Sequence, residues 1–261
     1  MALTIKLPKQ PQMRIIRFFL FVSIFLLAMA CSKKNGNPST PATPFDAPVS
    51  GEVILYDEAT LPVDKSGMTV SVDSTFPPSG SVTGTNGRFS IPFIAFGTKT
   101  LVFEKAGYGT YKMFNISHAY NNGAGTVLTT IPSLGKLSST AITGLTASVA
   151  SGIVTVSITS NPGGNSSSPK YIRLFLNSRP SVSNTNYLKV FDAFVARINP
   201  FEKTFSKAEL NALGFSSGTT VYVRTYGDSF WSNSYDDPVI GRTIFPNLNM
   251  STVAAASFIV P

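Results

Sequence analysis

The chain has 261 residues, with 21 Lys plus Arg against 13 Asp plus Glu, a formal charge of +8. One His, one Cys and one Trp leave no pair of thiols for an internal disulfide and too few soft ligands for a zinc site. Four of the cations lie in the first thirty residues, so the rest carries 17 basic and 13 acidic residues, a net +4 that gives no footprint for nucleic acid.

Those four cations, Lys6, Lys9, Arg14 and Arg17, precede the uncharged run Phe18 to Ala30. A bilayer span needs about 20 apolar residues; thirteen have the length of a signal-peptide core. Met13 opens the compact basic stretch "MRIIRFF" and is a second candidate start. Ala28 and Ala30 then lead into Cys31. An apolar run, small residues and a Cys resembles a bacterial lipoprotein signal with its lipobox. The departures are Ala28 where Leu is usual, Leu27 one place early, and Met29. The resemblance implies removal of residues 1–30 and lipidation of Cys31; the alternative is an ordinary secretory signal with a Cys near its cleavage site. Two or more acyl chains hold a protein stably on a membrane. Ser32-Lys33-Lys34 is similar to outer-membrane-sorted lipoproteins in lacking Asp after the Cys. It also lacks the acidic run of many surface-exported lipoproteins of the Bacteroidota, which implies the periplasmic face of the outer membrane. Residues 31–47 are rich in Pro, Ser and Thr and read as a tether, because such composition builds no core.

The remainder is rich in Ser, Thr, Val, Gly and Phe, a β composition. Residues 48–136 show seven short strand-like runs: 51–56, 68–72, 81–85, 88–94, 98–105, 108–116 and 126–131. Asn86-Gly87 predicts a hairpin between the third and fourth. Phe89, Ile91 and Phe93 alternate onto one face, as do Leu101 and Phe103. Seven such strands argue for a β-sandwich. Gly51-x-Val53, Val70-x-Val72, Thr85-Asn86-Gly87-Arg88-Phe89, Gly97 before Leu101, and Lys105-Ala106-Gly107-Tyr108 together resemble the carboxypeptidase regulatory-like domain. The resemblance implies a transthyretin-like sandwich that is non-catalytic and serves as spacer, stabiliser or docking surface. "STFPPSG" (Ser74 to Gly80) is longer and richer in proline than that family's loop.

Residues 137–261 show strand-like runs at 141–150, 152–158, 171–176, 187–195, 221–227 and 256–260. One stretch, Lys207 to Leu213, reads as helix, with Ser206 as N-cap and Glu209 three residues on. "LGFSSGTTVYVRTYGDSFWS" resembles the end of a fibronectin type III-like domain, in which a Gly-Thr pair precedes a corner tyrosine. Here Gly218-Thr219 precede Tyr222 by one residue more than usual, so another Ig-like topology stays open. The expected fold is all-β, with two consecutive sandwiches after a cleaved signal and a Pro-rich tether.

The catalytic inventory is thin. His118 is the only histidine, and Ser117 beside it faces the opposite way on an extended chain. No nucleophile elbow, P-loop, H-E-x-x-H or C-x-x-C occurs. Asp57-Glu58 and Asp236-Asp237 are adjacent pairs, whereas glycosidases project two carboxyls into one cleft about 5 to 9 Å apart. No enzyme activity, cofactor or metal is expected. "YGDSFWSNSYDDP" (Tyr226 to Pro238) stands out. Tyr226, Phe230, Trp231 and Tyr235 with Asp228, Asp236, Asp237 and Asn233 are what a sugar site uses, rings for stacking and polar groups for hydroxyls. The same oxygens could hold Ca²⁺, though not with EF-hand spacing. Alternatively, Phe230 and Trp231 plug the end of a sandwich or its partner interface. The functional expectation is a membrane-anchored binding module of the cell envelope, its partner a polysaccharide or an envelope protein; a secreted hydrolase is the remaining reading.

Overall fold

The alternation of Val, Ile and Phe with Ser and Thr becomes an almost entirely β structure in the computed structural model, which describes residues 45–261. The predicted leader, Cys31 and all but the end of the tether lie outside the described residues. The N-terminal half holds β1 (Asp46–Glu52), β2 (Ile54–Tyr56), β3 (Thr69–Val72), β4 (Gly80–Val82), β5 (Arg88–Ala95), β6 (Gly97–Glu104), β7 (Tyr111–His118), β8 (Thr126–Val127) and β9 (Ser133–Gly135). A sheet in the order β5-β1-β8 faces a second in the order β4-β3-β6-β7, and β2 pairs in parallel with β9. Val49, Phe89 and Ile91 from one sheet meet Val70, Leu101 and Phe103 from the other in a buried core. Burying each such side chain contributes about 1.5–3 kcal/mol. β1 starts at Asp46, so the end of the segment that composition assigns to the tether is strand, paired with Ala95 and Ile94.

Two local expectations change. Asn86-Gly87 does turn the chain, with Gly87 at φ 79°, but it does not join a hairpin. β4 pairs with β3 and β5 pairs with β1, so the turn carries the chain from one sheet to the other. The alternation in β5 also breaks. Pro92 has no N–H for the ladder, and the register against β1 slips between Ala47 and Val49. Such a bulge reverses the inside–outside phase: Ile94 turns inward at 3% exposure and Phe93 turns outward at 80%.

The C-terminal half holds β10 (Ala141–Ala150), β11 (Ile153–Asn161), β12 (Lys170–Asn177), β13 (Lys189–Val190), β14 (Phe194–Ala196), β15 (Phe201–Ser206), helix α1 (Lys207–Ala212), β16 (Thr220–Asp228), β17 (Tyr235–Asp237), β18 (Arg242–Ile244) and β19 (Ala256–Ile259). One sheet runs β10-β11-β15; the other runs β13-β12-β16-β19, with β14 also on β12. The expected strand at 187–195 is therefore two short ones, and β15 and the β17–β18 hairpin were not anticipated. α1 is capped as predicted: the Ser206 hydroxyl accepts from the Glu209 amide, and the Glu209 carboxylate accepts from the Ser206 amide.

Val154, Val156 and Ile158 face Ile172, Leu174, Val221 and Val223 across this second core. The larger sheet is covered on its other face too. Phe175 and Tyr226 point outward but are buried beneath Val182, Phe245 and Leu248. Tyr222 packs against this outer cluster. Arg173 and Asp228 share that covered face, diagonal to each other because Arg173 pairs with Tyr226 and Tyr171 with Asp228. Arg173 Nε donates to Asp228 Oδ2 at 2.6 Å, and the guanidinium lies 4.6 Å over the Phe245 ring. Its Nη1 donates to the Phe191 carbonyl (2.8 Å), while the Ser229 amide donates to Asp228 Oδ1 (2.8 Å). Burial pushes the Asp228 carboxyl above the usual carboxylate range, against the opposing pull of Arg173.

Truncating one partner of a buried pair strands the other charge. Arg173→Ala is therefore expected to cost about 3–5 kcal/mol in urea unfolding. Arg173→Met combined with Asp228→Asn is expected to recover most of that loss.

Candidate functional site

The aromatic–acidic segment starts inside the fold. Tyr226 is 2% exposed, with its ring edge-on to Phe175 at 5.6 Å, so it offers no face to a ligand. Asp228 is 1% exposed and committed to Arg173 and the Ser229 amide. Both are removed from the candidate ligand set. They were chosen because rings and carboxylates cluster in Tyr226 to Pro238; composition does not show that a later segment covers the face on which both lie.

Past Asp228 the chain leaves its sheet and runs along the first sandwich. The Ser229 hydroxyl donates to the Lys136 carbonyl, and the Phe230 amide donates to the Glu58 carbonyl at 2.9 Å. Trp231 stacks on Tyr56, centroids 5.0 Å apart at 29°. Asn233 then enters the seam between the sandwiches at φ 53°, a conformation that Asn tolerates better than most residues. Its Oδ1 accepts from the Gly135 amide at 2.8 Å. Its Nδ2 donates to the carbonyls of Gly135 (3.0 Å) and Gly109 (3.3 Å) and to Asn247 Oδ1 (3.0 Å). Asn247 mirrors it: Oδ1 also accepts from the Gly109 amide, and Nδ2 donates to the Gly135 and Trp231 carbonyls. Gly135 and Gly109 are needed there, since a Cβ would overlap the backbone of Trp231 and of Pro246 respectively. Phe230 meets Tyr171 edge-on at 5.7 Å and Trp231 at 5.2 Å, yet it is 45% exposed, so it sits at the rim of the seam and does not plug it.

Two openings flank this clasp. Beside Tyr171, a cleft of about 430 Å³ is lined by Asp57, Glu58, Lys136, Ser167, Ser168 and Lys170. Asp57 Oδ1 in this cleft accepts from the amides of Ala59 and Leu61, which uses that oxygen to hold its own turn. On the other side, the β17–β18 hairpin lies along β7 and forms a trough. One hollow of about 510 Å³ is lined by Phe114, Asn115, Asp236, Asp237, Arg242 and Thr243. It shares Phe114, Asn115 and Pro238 with a neighbouring hollow of about 480 Å³ that extends to Asp73, Thr75 and Lys99. Tyr235 backs Phe114 at 5.9 Å and meets Tyr111 edge-on. Asp237 is 8% exposed, and its Oδ1 accepts from the amides of Val239 and Ile240. Asp236 is exposed and accepts from the Thr243 hydroxyl at 2.6 Å.

The trough has fixed charges. Lys112 Nζ donates to Asp73 Oδ2 at 2.9 Å, which holds the Asp73 carboxyl low and the Lys112 ammonium high. Burial raises the Tyr235 hydroxyl, with Lys112 pulling the other way. Of the eight residues singled out in this segment, Asp236 and Asp237 line the trough and Tyr235 supports it. Phe114, Asn115, Arg242 and Thr243 were not singled out in the sequence, and nothing local marks them.

His118 is a strut. It is 1% exposed; its Nε2 donates to the Ile94 carbonyl at 2.8 Å, and its Nδ1 pairs with the Thr126 hydroxyl at 2.8 Å. Among the described residues, no three His, Cys, Asp or Glu side chains gather as metal ligands.

No protein-family model matches the chain, and no curated protein does. Among solved structures, a candidate carbohydrate-binding protein from Bacteroides uniformis is 14% identical, with 83% of this chain and 100% of that one covered and a TM-score of 0.29. A DUF3823 family protein from Parabacteroides merdae is 13% identical over 78% of this chain and 96% of that one, with a TM-score of 0.28. A chain of a cohesin–X-dockerin complex from Acetivibrio cellulolyticus is 30% identical over 31% of this chain, at a TM-score of 0.26; the match spans about half (51%) of that chain. At these TM-scores none of the three bears on function.

The seam can be tested directly. Asn247→Ala leaves buried partners without hydrogen bonds, and each such group costs about 1–3 kcal/mol. Asn233→Ala is expected to act likewise. The double variant is expected to lose less than the sum, because the two carboxamides bond each other. Urea unfolding of the four forms gives that coupling.

Proposed function

We propose that this chain is a non-catalytic binding module of the cell envelope, held to a membrane through lipidated Cys31. Its ligand surface is the trough between β7 and the β17–β18 hairpin, and the ligand is a polysaccharide. The trough carries this reading. It combines an aromatic side chain, Phe114, with the polar groups of Asn115, Asp236, Arg242 and Thr243. Sugars need that mixture, an apolar platform for one face and fixed donors and acceptors for hydroxyls. The joined hollows make it a long surface, suited to several residues of a chain. The resemblance of the first sandwich to a non-catalytic regulatory-like domain supports the same class, as does the structural use of His118.

A second reading, docking of an envelope protein, draws on the apolar rim. Val239 is 89% exposed and Ile240 is 54% exposed, both in the turn of the same hairpin.

Calorimetric titration with a panel of soluble envelope and dietary polysaccharides separates the two. For a polysaccharide that binds, Phe114→Ala is expected to weaken affinity about ten-fold, near the upper end of the ~0.5–1.5 kcal/mol for one aromatic contact. Asp236→Ala is expected to weaken it as well. No heat from any member would overturn the glycan reading. Loss of a co-purifying envelope protein on Val239→Ser with Ile240→Ser would then establish the second.

The anchor has its own check. Labelled palmitate is expected to enter the wild-type protein and not Cys31→Ser. Equal labelling, or soluble release of both forms, would sink it.

A further inference from the structure

The first sandwich has an aromatic end at the point where the tether joins it. Phe45 is 87% exposed, Phe93 is 80% exposed and Tyr120 is 45% exposed. Backbone pairing gathers them. The Phe96 amide donates to the Phe45 carbonyl at 3.3 Å, Asp46 pairs with Ala95, and Gly97 pairs with His118. Phe96 meets Tyr120 edge-on at 5.9 Å and covers the His118 ring at 5.0 Å. Phe93 sits on the bulge opposite the start of β1. The charged residues of this register are Asp46 and Lys99, one of each sign.

Phe93 is the most informative of the group. It is held at φ 56°, a region that costs a bulky residue on the order of 1–3 kcal/mol. The bulge spends that strain on turning a ring out into solvent, when the regular alternation would have buried it beside Phe89 and Ile91. An exposed ring in a strained conformation, among other exposed rings, points to a surface that covers them.

The position of these rings says what that surface is. Residues 32–44 alone separate Cys31 from Phe45. Thirteen residues in polyproline geometry span about 40 Å at ~3.1 Å each, so this end of the sandwich is where a chain anchored at Cys31 enters the fold, and its exposed rings are what can hold it against the lipid. Aromatic side chains partition to the boundary between headgroups and acyl chains, and a near-neutral patch meets no electrostatic barrier there. We infer that Phe45, Phe93, Phe96 and Tyr120 rest in the headgroup layer of the membrane that holds Cys31. This rests on the anchored reading given above. The sandwich then stands end-on. Eleven residue steps through β1 and β2 lead from Phe45 to Tyr56, at most about 35 Å at ~3.3 Å per step. Tyr56 stacks on Trp231 at the seam, so the seam is held away from the lipid, while the trough runs from it toward the aromatic end as far as Lys99.

The single cysteine allows a test independent of acylation in the cell. Protein beginning at Cys31 is coupled through that thiol to a maleimide lipid in vesicles of phosphatidylethanolamine and phosphatidylglycerol, with and without brominated acyl chains. Phe93→Trp keeps the ring and adds one fluorophore to Trp231. The added emission is expected to be lost largely in brominated vesicles, while the wild-type emission from Trp231 stays unchanged. Equal emission from Phe93→Trp in both vesicle types would overturn the inference. So would a concentration-dependent blue shift of Phe93→Trp without lipid, which would assign the patch to a second copy of the chain. Matching thermal unfolding of the two proteins excludes misfolding as the cause. Failure of palmitate labelling in cells bears on the anchor alone and leaves this readout intact.

Discussion

Two buried carboxamides hold the two sandwiches in one arrangement. Asn233 and Asn247 are removed from water, yet each has donors and acceptors paired. A polar network in a low-dielectric site is strong when complete and costly when broken. It also has direction: the carboxamides bond the main chain of Gly109 and Gly135 in the first sandwich, and each other from the second. An apolar contact of equal area would tolerate sliding, whereas this one fixes a register. Everything at the seam depends on it, including the trough, one wall of which is β7 and the other the β17–β18 hairpin.

The clasp is tied to the covered outer face of the second sandwich. Phe245 and Leu248 close over Phe175 and Tyr226, while Asn247 between them turns into the seam. Four consecutive residues therefore complete a hydrophobic cluster on one side and a polar network on the other. The Arg173–Asp228 pair is enclosed by the same cover, with Phe245 beneath the guanidinium. Burial of that pair works against its charge, so the intact pair adds little net stability over well-packed apolar residues, while loss of one partner is costly. The Ser229 amide that bonds Asp228 begins the crossing to the first sandwich.

Much of this fold was legible where the signal is local. The Ser206–Glu209 capping box needs four residues and is found where it was read. The runs at 141–150 and 171–176 carry their own alternation or apolar continuity. The errors arise where a partner far along the chain decides. Asn86-Gly87 is a turn, but the strand that pairs with β5 is β1, some forty residues earlier, so the turn crosses between sheets. Phe93 obeys the period until Pro92 removes a donor and the bulge reverses the phase. Tyr226 and Asp228 were grouped with the ligand candidates by composition alone; one face of an antiparallel sheet is often solvated, but here a segment about twenty residues on covers them. The seam was illegible for the same reason. Asn233 bonds residues about a hundred positions away, and an Asn in a polar loop looks like any other until its partners are known. The aromatic–acidic segment was singled out for its composition. Its composition reflects three jobs in sequence: closing the core with Tyr226, clasping the seam with Trp231 and Asn233, and lining the trough with Asp236.

A ligand in the trough would touch both sandwiches, and that links binding to the seam. Any ligand that binds the closed seam and not an opened one stabilises it by mass action, reaching about 2.7 kcal/mol at a hundredfold excess over its dissociation constant. The coupling is reciprocal. If the trough binds a ligand, loosening the Asn233–Asn247 pair would lower the population of the joined state and with it the apparent affinity, even though neither residue lines the trough. Under the proposed binding role, the clasp would act as a positioning device. The most conspicuous residue in the chain, Trp231, belongs to it: its ring is stacked on Tyr56 and its carbonyl accepts from Asn247. Trp231 thus helps to hold the trough's two walls together.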